Sequence, residues 1–155
     1  IQEITQTAWA GDEAVDYLIN SKIAIAASQN IQVGTNIEFP RRTNIQSVDL
    51  VAILGNLLDN ALEAIKKEKD RFRFVNLTIR RINDMLVIKV ENGCSAAPTE
   101  MNGSLQTSKA DKTLHGWGLR SVRAAAERYD GTIETEYNNQ IFRAVVTLSF
   151  EAVKA

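Results

Sequence analysis

Residues 47–67, Ser47-Val-Asp-Leu-Val-Ala-Ile-Leu-Gly-Asn-Leu-Leu-Asp-Asn-Ala-Leu-Glu-Ala-Ile-Lys-Lys, constrain the fold more than any other stretch. At about 100° per residue, Leu50, Ile53, Leu54, Leu57, Leu58, Ala61, Ala64 and Ile65 gather on one broad helical face. Asn56, Asn60, Glu63 and Lys67 fall together in a narrow sector beside it. Ser47 or Asp49 is placed to cap the start, since either side-chain oxygen can accept a free first-turn amide. Asparagine is a poor helix former because its side chain competes for the backbone, so two of them four apart need a reason. From the helix alone two readings stay open. One is a polar network or solvated stripe. The other is a row of oxygen ligands for a hard cation and its phosphate, since Mg²⁺ takes a few protein oxygens with waters and substrate phosphates.

The remaining elements follow from period and punctuation. Asp12 is an N-cap for a helix over 13–28, with Val15, Leu18, Ile19, Ile23 and Ala26 on one side. Residues 31–39 alternate as a strand ended by Pro40. Val75, Leu77 and Ile79, then Leu86, Ile88 and Val90, form two hairpin arms around an Asn83-Asp84 turn. By parity Asn92 shares the buried face of the second arm and ends it with a carboxamide. Residues 93–114 carry no sustained period, and a connection that long reads as a functional lid or a disordered segment. A helix over about 118–129 follows, with a stripe of Leu119, Val122, Ala126 and Tyr129 and a stop at Gly131. Strands over 132–137 and 142–150, joined by Asn138-Asn139-Gln140, close the chain, and Phe142, Ala144, Val146, Leu148 and Phe150 share a face. The order α, β, α, β, β, α, β, β predicts an α+β, two-layer α/β sandwich: a mixed sheet of about five strands with three helices on one face.

Composition narrows the function classes. The 155 residues are 45% hydrophobic, enough for one core without staples. Eighteen basic against nineteen acidic residues leave a net charge of −1, which weighs against a nucleic-acid binder. One cysteine, Cys94, forms no internal disulfide and fits a reducing compartment. No apolar run is long enough to span a bilayer. The chain opens at Ile1 without an initiator Met or a signal peptide, and reads as an excised fragment.

Three further features bear on chemistry. Gly116-Trp-Gly-Leu119 sits at a helix start, where glycines admit a ligand and the free amides attract phosphate; it is equally an ordinary turn. His115, the only histidine, is either an inert loop residue, a donor to a phosphoryl oxygen, or a phosphoacceptor. Lys109 is either solvated or a point charge for a terminal phosphate. Cys94 reads as a small filler, no Cys/His set has zinc spacing, and no P-loop motif occurs.

Asn56-Leu-Leu-Asp-Asn-Ala-Leu-Glu-Ala, then Val90-Glu-Asn-Gly ending a strand, then His115-Gly-Trp-Gly-Leu before a helix, together resemble the GHKL superfamily of ATP-binding domains, with its Bergerat-type fold. Within it the chain resembles the catalytic domain of bacterial sensor histidine kinases, and especially the peptide-pheromone sensors of accessory-gene-regulator systems. Asp16-Tyr-Leu-Ile-Asn-Ser-Lys, the 49–61 segment and Thr107-Ser-Lys carry that closer likeness.

The resemblance implies a set of roles. Asn60 holds the Mg²⁺ that bridges the ATP phosphates, and Asn56 supports the metal shell or the phosphates. Glu63 and Leu119 join the cofactor-binding set, Gly116 and Gly118 lie under the phosphates, and Lys109 and His115 close over them. Asn92 replaces the family's adenine-reading Asp, and Cys94 and Ala96 stand where that glycine box has glycines. Asn56 stands where the chaperone branch has a glutamate base; an amide takes no proton at neutral pH, which points away from ATP hydrolysis.

The implied activity is transfer of the ATP γ-phosphoryl group to a histidine on an upstream dimerisation hairpin absent from this chain. Residues 1–12 are then the connector or the end of that hairpin, and 13–155 the catalytic domain. The partners implied are that hairpin and a downstream response regulator, with no nucleic acid. The intact protein is expected to be a homodimer anchored in the bacterial cell membrane, with this domain cytoplasmic. The alternatives are a regulatory module that has lost nucleotide binding, and a serine kinase of the anti-sigma-factor type.

Overall fold

The computed structural model describes residues 7–98 and 116–151. Within them the order is α1 (Glu13–Ser28), β1 (Gln32–Ile37), α2 (Ser47–Ala64), a 3-10 turn (Asp70–Phe72), β2 (Phe74–Ile82), β3 (Met85–Gly93), α3 (Gly116–Glu127), β4 (Thr132–Asn138) and β5 (Ile141–Ser149). The five strands form one sheet ordered β1-β2-β3-β5-β4, parallel between β1 and β2 and antiparallel elsewhere. The three helices and this mixed sheet make the α+β arrangement that the pattern predicts.

Period two supplies the sheet's buried face: Val75, Leu77 and Ile79 of β2, Leu86, Ile88 and Val90 of β3, and Ala144, Val146 and Leu148 of β5. Onto it α2 lays Leu50, Ile53, Leu54, Leu57, Leu58 and Ala61. α2 packs between α1 and α3 and over β3. Two positions on α2 differ from the predicted face. Leu62 is buried, because α1 covers a second side of α2 with Ile19, Ile23 and Ala26. Ala64 is exposed, because it borders a cleft instead of the core. The stretch read as helical through Lys67 closes at Ala64.

The caps are only partly those predicted. Asp12 accepts from Val15 N at 3.0 Å and caps α1 as expected. Neither Ser47 nor Asp49 caps α2, whose N-cap is Gln46 with no side-chain bond. Ser47 Oγ instead donates to the Asp12 carboxylate. Asp49 is buried and accepts from Arg128 Nη2 and the Tyr129 hydroxyl, whose oxygen accepts in turn from Gln46 N at 3.0 Å.

At the other ends of the helices, the Arg73 guanidinium donates to the carbonyls of Ile65 (2.9 Å) and Glu68 (3.3 Å) after α2 and of Gln29 (2.6 Å) after α1. It brings positive charge to two C-termini whose last turns contain no basic residue.

α3 starts at Gly116, two residues before the predicted start, so the glycine turn is the helix's own first turn. Gly131 N returns to Ala126 O at 2.9 Å, and Asp130 supplies the left-handed turn at φ 51°. The last hairpin is tighter than predicted. Asn139 and Gln140 both have positive φ, a two-residue turn that extends the strands to Asn138 and Ile141.

Before α1, the Asp16 carboxylate collects the backbone N–H groups of Trp9 (2.9 Å), Ala10 (2.6 Å) and Gly11 (3.2 Å). Asn20 takes the Trp9 indole N–H at 3.2 Å and donates to Thr7 O at 2.8 Å, so residues 7–11 lie along α1. No helix among the described residues is long and apolar enough to cross a membrane.

Candidate functional site

The site forms where β3 ends between α2 and α3. Asn92 is opposite Val75 of β2 and Phe142 of β5, and is only 2% exposed. Its Nδ2 donates to Gly93 O at 2.9 Å. Among the described residues no donor reaches its Oδ1, and no fully buried side-chain polar atom lacks a partner. The oxygen therefore opens on the cleft that Asn92 lines.

That cleft holds about 370 Å³. Val90, Asn92, Phe142 and Ala144 make its floor, while Leu57, Ala61 and Ala64 of α2 and Leu119 of α3 wall it. Lys66, Lys67, Cys94 and Pro98 also line it. Beside it lies a more open, polar cleft of about 450 Å³ lined by Asn56, Asp59, Asn60, Glu63 and Gly118, among others. Asn60, Glu63 and Lys66 line both.

The polar side chains here are oriented by their neighbours. Asn56 Nδ2 donates back to Ala52 O at 2.8 Å, which ties down its donor and leaves Oδ1 toward α3. A β-carbon built on Gly118 would lie 3.2 Å from that oxygen, so the absence of a side chain permits the approach. Glu63 pairs with Lys66 at 2.9 Å one turn on, and Asp59 pairs with Lys22 of α1 at 2.6 Å. Among the described residues no group of three His, Cys, Asp or Glu side chains could hold a metal ion. A divalent cation here would depend on carboxamide oxygens, water and ligand phosphates, a donor set that suits Mg²⁺.

The exit from β3 is pinned. A β-carbon on Gly93 would meet Phe72 O at 2.3 Å, so only glycine fits that crossing. Cys94 N donates to Gln140 O at 2.9 Å, and Tyr137 Oη donates to Cys94 O at 2.9 Å. Glu68 accepts from Ser95 N at 3.1 Å and from Ser95 Oγ at 3.3 Å. Burial, and then the nearby Glu68 carboxylate, push the Cys94 thiol pKa up.

Of the residues singled out from sequence, Asn56, Asn60, Glu63, Asn92, Gly118 and Leu119 line this pair of clefts. Gly116 is the first residue of α3. Lys109 and His115 lie outside the described residues. Sequence reading passed over Lys66, one position from the helical sector it singled out, and over Phe142, whose place opposite Asn92 depends on β5 register. It read Cys94 as filler, but the residue lines the cleft. Chemically, the apolar slot takes a flat ring and offers it one acceptor. The adjoining carboxamides suit a phosphate chain with a hard cation.

Residues 45–149 match the GHKL domain family. A probable C4-dicarboxylate sensor kinase of Bacillus subtilis is 30% identical over 104 residues, 64% of this chain and 19% of that protein. Its counterpart in Halalkalibacterium halodurans is 34% identical over 91 residues, 57% of this chain and 17% of that protein. The sensor histidine kinase DpiB of Escherichia coli is 30% identical over 100 residues, 61% and 18% respectively. The chain thus spans about a fifth of the length of these relatives. The catalytic domain of histidine kinase ThkA superposes with a TM-score of 0.68 at 17% identity, covering 96% of this chain and 97% of that one. AdeS of Acinetobacter baumannii gives 0.59 at 13% identity, covering 96% and 68%. Both share the fold.

Proposed function

This chain belongs to the GHKL domain family, and we propose that it is the catalytic, ATP-binding domain of a sensor histidine kinase. The observation that carries the proposal is the paired cleft. Asn92 Oδ1 faces an apolar slot sized for a purine, and Asn60 and Glu63 join that slot to a polar one reached by Asn56 and the first turn of α3. The relatives named as sensor kinases support the same reading.

In this proposal Asn92 accepts the adenine amino group through Oδ1, because its Nδ2 is committed to Gly93 O. Asn60 presents an oxygen to Mg²⁺, and Asn56, tied at Ala52, presents a second oxygen to the metal shell or the phosphates. Bound Mg²⁺ would offset phosphate charge and fix the phosphate chain. Gly116 and Gly118 leave room for phosphate at the start of α3, Leu119 walls the base, and Lys109 and His115 close over the phosphates. Asn56 and Asn60 act by positioning and electrostatics, which is most of what phosphoryl transfer asks of a protein. An amide at position 56 takes no proton from water, which points away from hydrolysis and towards transfer to another acceptor.

The intact protein on this reading is a membrane-anchored dimer that supplies the histidine-bearing hairpin and passes phosphate to a response regulator. The likeness to the peptide-pheromone sensors rests on the Asp16–Lys22 and 49–61 segments and on Thr107-Ser-Lys followed by His115-Gly-Trp-Gly-Leu, whereas the relatives named above are C4-dicarboxylate sensor kinases or DpiB. The test is radiolabelled γ-phosphoryl transfer from Mg·ATP to the upstream hairpin of the same protein, supplied separately. Acid-labile labelling of a hairpin histidine is expected. Label on a serine, or on no partner despite nucleotide binding, contradicts it.

A further inference from the structure

The polar cleft takes two of its walls from helices whose ends meet at one side chain. Ile25 and Gln29, at the end of α1, line one wall, and Asn56, Asn60, Glu63 and Lys66, on and just after α2, line another. The two helices run in the same direction. Ser47 at the start of α2 donates to Asp12 at the start of α1, Lys22 pairs with Asp59 at 2.6 Å further along, and both C-terminal ends arrive at Arg73. Parallel neighbours bring two negative dipole ends together, and those ends repel.

Arg73 lies between them. Nη1 of its guanidinium donates to the carbonyls of Ile65 (2.9 Å), Lys66 (3.4 Å) and Glu68 (3.3 Å), and Nη2 donates to that of Gln29 (2.6 Å). Gln29 and Lys66 are themselves cleft residues, so one planar group ties two walls of the cleft by their backbones. Arg73 is fixed in turn by its own backbone: its N–H donates to Asp70 O and its carbonyl accepts from Gln32 N, each at 3.1 Å, where β1 begins. Among the described residues all the acceptors of its side chain are carbonyls, so its charge is directed at the helix ends.

We propose that Arg73 is a positioning residue for phosphate binding: it holds the ends of α1 and α2 at the separation at which the polar cleft takes a triphosphate with its metal. Arg73 lines neither cleft and acts through the backbones of Gln29 and Lys66. Without it the two C-terminal ends move apart, and the walls of the polar cleft lose their fixed spacing. The floor of the base slot is Val90, Asn92, Phe142 and Ala144, which belong to the sheet and keep their places. Loss of Arg73 therefore weakens the grip on the phosphate chain more than the grip on the base. This inference rests on the nucleotide reading of the paired cleft.

The test compares two ligands on the 155-residue chain and on its Arg73→Ala and Arg73→Lys variants. One is a non-hydrolysable ATP analogue with Mg²⁺; the other is AMP, which reaches the base slot without the outer two phosphates. Calorimetry is run at a temperature where circular dichroism shows the chains folded. In both variants the analogue should bind about tenfold more weakly, and AMP should stay within about twofold of the parent. Arg73→Lys keeps the charge, but one ammonium cannot span both helix ends, so it should not rescue. Equal weakening of both ligands would make Arg73 a stabilising residue only, and unchanged analogue affinity would leave it no part in the cleft. Either result overturns the inference while the proposed function stands. If Arg73→Ala does not fold, Arg73→Lys decides, and parent-like preference for the analogue over AMP in that variant overturns the inference. If the parent chain binds no analogue, the nucleotide reading fails and takes the inference with it.

Discussion

Asn56 and Gly118 lie against each other across the α2–α3 boundary. A β-carbon on Gly118 would come within 3.2 Å of Asn56 Oδ1, while Asn56 Nδ2 is held at 2.8 Å from Ala52 O. The carboxamide oxygen is thus aimed by one neighbour and admitted by the other.

Gly118→Ala should separate fold from function. Gly118 has no positive φ, so alanine adopts its backbone freely and raises helix stability by about 0.5–1 kcal/mol. The new methyl crowds Asn56 Oδ1 and turns it aside. We expect an unchanged or higher melting temperature with Mg·ATP analogue affinity about tenfold weaker, a loss of about 1.4 kcal/mol. Equal affinity in the variant would remove Asn56 from the site.

Asn92→Asp tests whether the missing charge at the base of the slot matters. A carboxylate would accept more strongly from an adenine amino group. It would also set an oxygen against Gly93 O in place of a donor, in a position only 2% exposed. The local cost should dominate. We expect about 1–3 kcal/mol less stability in urea titrations at neutral pH, recovering as the pH is lowered and the acid protonates. A variant as stable as the parent at pH 7 would show that the Gly93 bond carries no weight.

Asp49→Asn should flatten the acid limb of the stability profile. Burial pushes the Asp49 carboxyl up, but the Tyr129 hydroxyl and the Arg128 guanidinium outweigh it and hold the carboxyl below its ordinary 3.8. The folded chain then binds fewer protons than the unfolded chain in acid, so this stability is complete above about pH 4–5 and is lost as the pH falls through the folded value. More than half of the Arg128 side chain is exposed, which screens its share and leaves the Tyr129 bond as the main loss, about 1–3 kcal/mol at pH 7. Denaturant midpoints from pH 2.5 to 7 should converge for parent and variant at the acid end.

These contacts mark what a linear reading reaches. The α2 sector carrying Asn56, Asn60 and Glu63 follows from helical period alone, and the burial of Asn92 from strand parity. Arg73 is invisible to such a reading, because it serves two helix ends through backbone carbonyls 44 and 8 residues away. Asp49 looked like a cap because its partners, Arg128 and Tyr129, come from the turn after α3, about 80 residues on. Phe142 had the right parity, but its place opposite Asn92 needs the β3–β5 register. The family resemblance linked three motifs whose convergence no local pattern encodes.

Arg73→Ala should loosen the far ends of α1 and α2 together. Four carbonyls, of Gln29, Ile65, Lys66 and Glu68, lose a charged donor, and the α2 end carries Lys66 and Lys67 at the cleft. We expect about 1–3 kcal/mol of destabilisation and faster amide exchange over residues 26–31 and 64–68. Arg73→Lys should recover little of it, since one ammonium cannot span both helices. Full rescue by lysine would mean that charge alone suffices.

The most direct test of the central claim is calorimetric titration of the chain and of Asn60→Ala with a non-hydrolysable ATP analogue, with and without Mg²⁺. Mg²⁺ should tighten binding to the parent, and Asn60→Ala, still folded, should lose that enhancement. Binding by Asn60→Ala equal to the parent in Mg²⁺, or no binding by the parent at millimolar analogue, would contradict it.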